Sequence, residues 1–135
     1  MNRRDEREQA FLLIFEYTIN QESVAQIIEN AGQARDLTPS AFARSVATGA
    51  QEQQERIDQT IAQYSRGWQL RRLPRVSLAL LRLAVYEMCF LPEIPLSVSI
   101  NEVVDLAKKY GGKEDAPFIN GVLGSVAKEL EKADV

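Results

Sequence analysis

The sequence predicts an all-α helical bundle, and three observations carry that prediction. Apolar residues recur at helical intervals in each long segment, no segment alternates apolar and polar residues as a half-buried strand does, and Gly and Pro fall where helices would stop or start. About seven helices with short connections account for the 135 residues, with no internal repeat or low-complexity segment. That length suits a single domain over residues 1–135, large enough to bury a sizeable core without disulfides or metals.

Asp5 and Glu8 have capping-box spacing, which places the first helix from near Asp5 through the apolar block AFLLIF to about Ile19. Ser23 with Gln26 opens a second helix, Val24 to Ala31, which Gly32 ends. After the linker QARDL, Thr38 as N-cap and Pro39 at the first helical position start one long helix. Its apolar face is Phe42, Val46, Ala50, Ile57, Ile61 and Tyr64, with Gly49 as a point of close packing or a bend. Arg66 and Gly67 break that pattern. Trp68, Leu70 and Leu73 then read as a short apolar turn plugging the base of the bundle, with stacking of Trp68 on a base as the alternative. Pro74 opens the next helix, whose run VSLALLRLAVYEMCFL is apolar nearly all round and so predicts the central, most buried helix; Pro92 and Pro95 end it. Ser99 and Glu102 repeat the capping-box spacing ahead of Ile100, Val103, Ala107 and Tyr110, and Gly111 and Gly112 stop that helix. A last helix begins near Asp115. Its Ile119, Val122, Leu123, Val126, Ala127 and Leu130 form one continuous apolar stripe.

Composition removes most catalytic chemistry. There is no histidine, hence no common general base, no Ser-His or Cys-His arrangement and no usual zinc site. The carboxylates are spread along helices without a paired cluster, so neither an active site nor a cofactor is expected. The single Cys89 lies in the apolar run Leu83 to Leu91 and reads as a buried, inert thiol. No stretch approaches the roughly 20 apolar residues that span a bilayer, and the charged start lacks the apolar core of a signal peptide, which points to the cytosol. A net charge of -3 argues against an indiscriminate nucleic-acid binder. Its distribution is uneven, because between Asp58 and Glu87 no acid occurs while Arg66, Arg71, Arg72, Arg75 and Arg82 do. That segment is either an anion-attracting face or a set of partners for acids on neighbouring helices.

Three segments are more particular than helix packing requires: WQLRRLPRVSLALLRLAVYEM from Trp68 to Met88, IPLSVSINEVVDLAKKYG from Ile94 to Gly111, and FINGVL from Phe118 to Leu123. Together with the opening RRDEREQA, Arg3 to Ala10, they resemble the NusB family of transcription antitermination factors in order and spacing. The resemblance spans nearly the whole chain, and only Asn20 to Arg66 matches by helical pattern alone. It implies two packed three-helix subdomains and a non-catalytic RNA-binding adaptor, monomeric or homodimeric. Such a protein would bind a single-stranded boxA-like element of the ribosomal RNA leader together with NusE, a small-subunit ribosomal protein, and help RNA polymerase elongate past terminators.

By the same resemblance Arg3, Arg4 and Arg7 contact RNA. The chemistry suits them, since the planar guanidinium fork donates two parallel hydrogen bonds to a phosphate. Asp5, Glu6 and Glu8 cancel their formal charge, so a solvated amphipathic helix start is the bland reading; Glu6 also stands where the family usually has a small residue. Phe118, in the first turn of the last helix, either stacks on an unpaired base or staples the helix entry, and the resemblance favours the base. Phe15 extends the same surface or is buried in AFLLIF. Lys109 and Lys113 flank the loop before Phe118 and would add phosphate contacts, while Pro117 stands where the family commonly has a basic or polar residue. Asn120 reads as a cap or bridge and Gly121 as a close helix crossing. For NusE, which the family binds partly through the central helix, the expected exposed residues are Arg75, Ser77, Asn101, Glu102 and Asp105; Ser77 stands where many members carry an acid.

Two other readings remain. Similar helical domains recruit RNA for ribosomal RNA cytosine methyltransferases, but that role needs a Gly-rich cofactor-binding α/β segment, which this sequence does not contain. The second is a pure protein-interaction module whose arginines all pair internally.

Overall fold

In the computed structural model of the chain the described residues are 2–35 and 38–133, with the side chains of residues 33–35 and 133 outside that set. Seven α-helices follow in order: α1 Arg3–Asn20, α2 Val24–Arg35, α3 Ala41–Glu52, α4 Gln54–Tyr64, α5 Arg75–Phe90, α6 Leu96–Tyr110 and α7 Asp115–Ala133. A 3-10 turn, Leu70–Arg72, lies between α4 and α5, and no strand occurs among the described residues. α1, α2 and α3 pack on one another, as do α5, α6 and α7, which gives the two three-helix groups expected. α5 joins them, touching α1, α3, α4, α6 and α7. From Ser77 to Met88 every residue of α5 except Tyr86 is buried, as its all-round apolar composition requires.

The helix ends show which local signals win. α1 starts two residues before Asp5, because the Asn2 side chain accepts the Asp5 N–H at 2.8 Å and supplies the cap itself. Ser23 does cap α2, accepting the Gln26 N–H at 3.1 Å. Gly32 does not end that helix, which runs to Arg35; an interior glycine costs only about 1 kcal/mol, too little to stop a helix unaided. Residues 36 and 37 of the expected linker lie outside the described residues. Ser40, not Thr38, caps α3, its hydroxyl accepting the Ala43 N–H at 3.0 Å. The single long helix expected there is two, broken at Gln53, whose N–H turns back to the Gly49 carbonyl at 2.9 Å. Gly49 itself is a close-packing site, since a Cβ there would overlap the Tyr86 ring of α5. α6 starts at Leu96 behind Pro95, so Ser99 is an interior, fully buried residue and no capping box forms.

Away from the site, four positions also differ from expectation. Trp68 is 55% exposed rather than plugging the base. The left-handed φ of Arg66 (53°) and Gly67 (86°) turns the chain so that Leu73 is buried and Leu70 packs on the core while the indole faces out. Cys89 is exposed in the last turn of α5, although partial burial still pushes its thiol pKa up. Gly121 makes no tight crossing: a Cβ there would meet nothing within 4 Å. Asn120 beside it is exposed, with no hydrogen bond among the described residues that would make it a cap or bridge.

Candidate functional site

The N-terminal turns of α1 lie along α6, and two charged rungs join them. Arg4 reaches Glu102 at 3.1 Å and Asp105 at 2.6 Å, and one turn on Lys109 reaches Glu8 at 2.6 Å. Because 4 pairs with 105 and 8 with 109, the two helices run in the same sense along this edge. Tyr110 completes the second rung by donating its hydroxyl to Glu8. The Lys109 and Tyr110 hydrogen bonds hold the Glu8 carboxyl below its ordinary value, and Glu8 in turn raises both partners. Arg4, Asp105 and Lys109 are exposed and Glu8 and Glu102 half-buried, so each rung is a weak, solvent-screened contact.

Arg7 is different. Its guanidinium is 3% exposed and forks onto the fully buried Glu87 of α5, at 2.7 and 2.9 Å, while Ser99 of α6 donates to the same carboxylate at 2.9 Å. This corrects the expectation that Arg7 faces RNA: the side chain is buried, and its Nε and Nη2 are committed to tying α1 to α5 and, through Ser99, to α6. The signal was present in the sequence, because a lone acid inside a helix buried on all sides must meet a cation. Glu87 is the residue that sequence reasoning missed.

Arg3, Arg4 and the edge of Arg7 line an open cleft of about 750 Å³, together with Phe42 of α3 and with Leu91 and Val98 near the α5 to α6 connection. Arg3 lies over the Phe42 ring, 3.9 Å from its centroid, so the arginine is oriented without any ion pair among the described residues. Further along α1, Phe15 stacks on Phe11 (5.8 Å between centroids) and Phe11 meets Tyr110 (5.0 Å), which leaves Phe15 half-buried beside exposed Leu12. Lys113 is exposed and, with Lys108, lines a second open cleft between the end of α6 and the start of α7. Phe118 packs on the core from its half-buried position in the first turn of α7, so stapling and an open edge coexist.

The residues expected at the partner surface divide. Asn101, Glu102 and Asp105 sit on α6 with at least part of each side chain open. Ser77 is fully buried, and its hydroxyl has no hydrogen-bond partner among the described residues, which corrects its expected exposure. Arg75 is half-buried and folds back to donate to the carbonyls of Leu70 (3.0 Å), Arg71 (2.9 Å) and Leu73 (2.8 Å), so it pins the turn before α5 rather than facing outward. Arg82 is likewise consumed, forking onto Asp58 at 3.0 and 2.9 Å and reaching Thr18 at 3.0 Å.

Comparison with known proteins bears on this geometry. The sequence profile of the NusB family matches residues 4–128. A transcription antitermination protein NusB of Acetivibrio thermocellus is 45% identical, over 99% of this chain and 94% of its own length. Among solved structures, T. maritima NusB superposes with a TM-score of 0.86 at 33% identity, covering 100% of this chain and 99% of that one. The antitermination factors NusB and NusE in complex with dsRNA contain a chain that superposes with a TM-score of 0.81 at 27% identity, covering 96% of this chain and 99% of that one.

Proposed function

The chain belongs to the NusB family, and we propose that it is a single-domain, non-catalytic antitermination factor of the cytoplasm. It binds a single-stranded boxA-like RNA and NusE on adjoining surfaces, and through NusE reaches the transcribing polymerase. The observation that carries this reading is the rung in which Arg4, on the basic rim of α1, is held by Glu102 and Asp105 of α6. With the second rung, Lys109 on Glu8, it supports an RNA rim of Arg3, Arg4, Phe15 and Lys109, extended by Lys113 and Phe118, that adjoins a NusE surface of Asn101, Glu102 and Asp105. A relative named as an antitermination protein and a neighbour solved with NusE and dsRNA support the same assignment. Single-stranded RNA suits the site because it offers phosphates to guanidinium forks and an unstacked base to a half-open phenyl ring. Arg7 serves underneath as a positioning residue for α1.

Titration of labelled boxA-like RNA, single- and double-stranded, with and without NusE, tests this. If three to five phosphates are neutralised, log K against log salt falls with a slope of about -2 to -3.5 for the single strand. Arg3→Ala/Arg4→Ala flattens that slope by about 1.4 and leaves the melting temperature nearly unchanged. Phe118→Ala weakens binding by about 1–3 kcal/mol with little change of slope. A double arginine variant that binds as tightly as the parent at every salt concentration would move the RNA surface elsewhere.

A further inference from the structure

The cations of this protein are unevenly committed. Arg4 and Lys109 are in ion pairs, Arg7 and Arg82 are buried in theirs, and Arg3 lies on Phe42. In the turn between α4 and α5, by contrast, Arg66, Arg71 and Arg72 are all exposed and none has an ion pair among the described residues. Trp68 stands between them, the most exposed of the large apolar side chains among the described residues at 55%. An isolated exposed hydrophobe needs no explanation, but this one is held out by a built turn. Ser65, fully buried, donates its hydroxyl to the Trp68 carbonyl at 2.9 Å; the Trp68 N–H returns to the Ser65 carbonyl at 3.2 Å; and Arg75 ties down three carbonyls just downstream. Glu129 of α7 is engaged with the Tyr64 hydroxyl at the end of α4. The turn therefore keeps a positive balance around a fixed, outward-facing indole.

We infer that this turn is a second contact for single-stranded nucleic acid, in which Trp68 stacks on a base while Arg66, Arg71 and Arg72 meet the flanking phosphates. An aromatic face accepts any base and needs cationic neighbours to hold the backbone, which is the composition found here. The contact is separate from the α1 rim. α1 and α5 run in opposite senses, since Arg7 meets Glu87 while Thr18 meets Arg82, so the turn before Arg75 lies at the other end of α5. Arg75 and Glu87 lie 12 positions apart, about 18 Å of helix, so only a strand of several nucleotides reaches both contacts. The inference rests on RNA being a ligand of this protein, and its test separates the two ideas.

Trp68 is the only tryptophan, so its emission reports on this turn alone. The intact chain is titrated with an unstructured oligoribonucleotide of about 20 nucleotides, following Trp68 emission with unlabelled RNA and anisotropy with end-labelled RNA. Quenching of Trp68 in step with anisotropy is expected. Trp68→Ala should weaken binding about 5- to 150-fold, and Arg66→Gln/Arg71→Gln/Arg72→Gln should weaken it and reduce the salt slope by about 2. Neither change touches the core, and unaltered melting temperatures verify that. Arg3→Ala/Arg4→Ala should bind less tightly yet still quench Trp68 at saturation. Full RNA binding with unchanged Trp68 emission, and with the triple variant as tight as the parent, would overturn the second contact and leave the RNA reading standing. Absence of any anisotropy change would overturn both. Quenching by polyglutamate but not by RNA would make the turn a protein-docking surface and overturn the inference.

Discussion

Removing one partner of the Arg7 and Glu87 pair should be the most damaging polar substitution in this protein. Arg7 is 3% and Glu87 0% exposed, and the carboxylate takes two bonds from the guanidinium and one from Ser99, at 2.7, 2.9 and 2.9 Å. Glu87→Leu strands a buried guanidinium and Arg7→Met strands a buried carboxylate, and each should cost about 3–5 kcal/mol. Against a typical total of about 5–15 kcal/mol, that approaches marginal folding. The double variant Arg7→Met/Glu87→Leu replaces both charges with apolar volume and should recover most of the loss, because neither ion is then desolvated alone. Urea denaturation reads this directly: with a slope near 2 kcal/mol per molar, each single change lowers the midpoint by about 2 M, while the double returns toward the parent. RNA affinity of the folded double variant should equal that of the parent. If Arg7→Met instead loses under about 1 kcal/mol of stability while RNA binding weakens and its salt slope flattens, Arg7 contacts phosphate and the buried pair is not what holds α1 in place. Arg4→Ala is the control. Its side chain is 61% exposed, and its pairs with Glu102 and Asp105 should contribute no more than about 1 kcal/mol.

Three further outcomes follow from single positions. Gly121→Ala should raise stability by about 0.5–1 kcal/mol, seen as a higher urea midpoint at unchanged slope, since the added Cβ meets nothing and the helix gains an alanine. Cys89 should label with a thiol reagent in the native protein, at a rate below that of a free thiol and rising through alkaline pH, because its thiol is accessible but its pKa is raised. Burial pushes the Tyr17 phenol up to about 12, so the unfolded chain ionises first as pH rises. The neutral phenol's contribution is complete below about pH 10 and is lost between about 10 and 12, amounting to about 2–3 kcal/mol; Tyr17→Phe should flatten that part of the stability profile.

Periodicity made the helices legible, because burial of one face leaves its mark every 3.6 residues. The stripe from Ile119 to Ala127 and the all-round apolar α5 are buried as their spacing predicts, and Leu130 packs on the core beside them. Helix ends were less legible, since several hydroxyls and amides compete to cap one turn: Ser40 displaced Thr38, and Asn2 displaced Asp5. At the site, residue type located the charged rim but not the commitments within it. Arg3, Arg4 and Arg7 open one helix, yet one lies on an aromatic ring, one bridges the carboxylates of Glu102 and Asp105 and one is buried.

The sequence by itself determined the all-α class, the central helix, the apolar faces and, through three particular segments, the family. These are properties of composition and spacing along a single chain. Only the tertiary structure decided which polar groups are free. Ser77 and Arg7 went inside, Arg75 and Arg82 were spent on carbonyls and on Asp58, and Trp68, Arg66, Arg71 and Arg72 were left facing solvent. The physical reason is that a buried charge must find its partner wherever the chain brings one, 80 residues away for Arg7 and 24 for Arg82. Local sequence carries no record of such distant pairings.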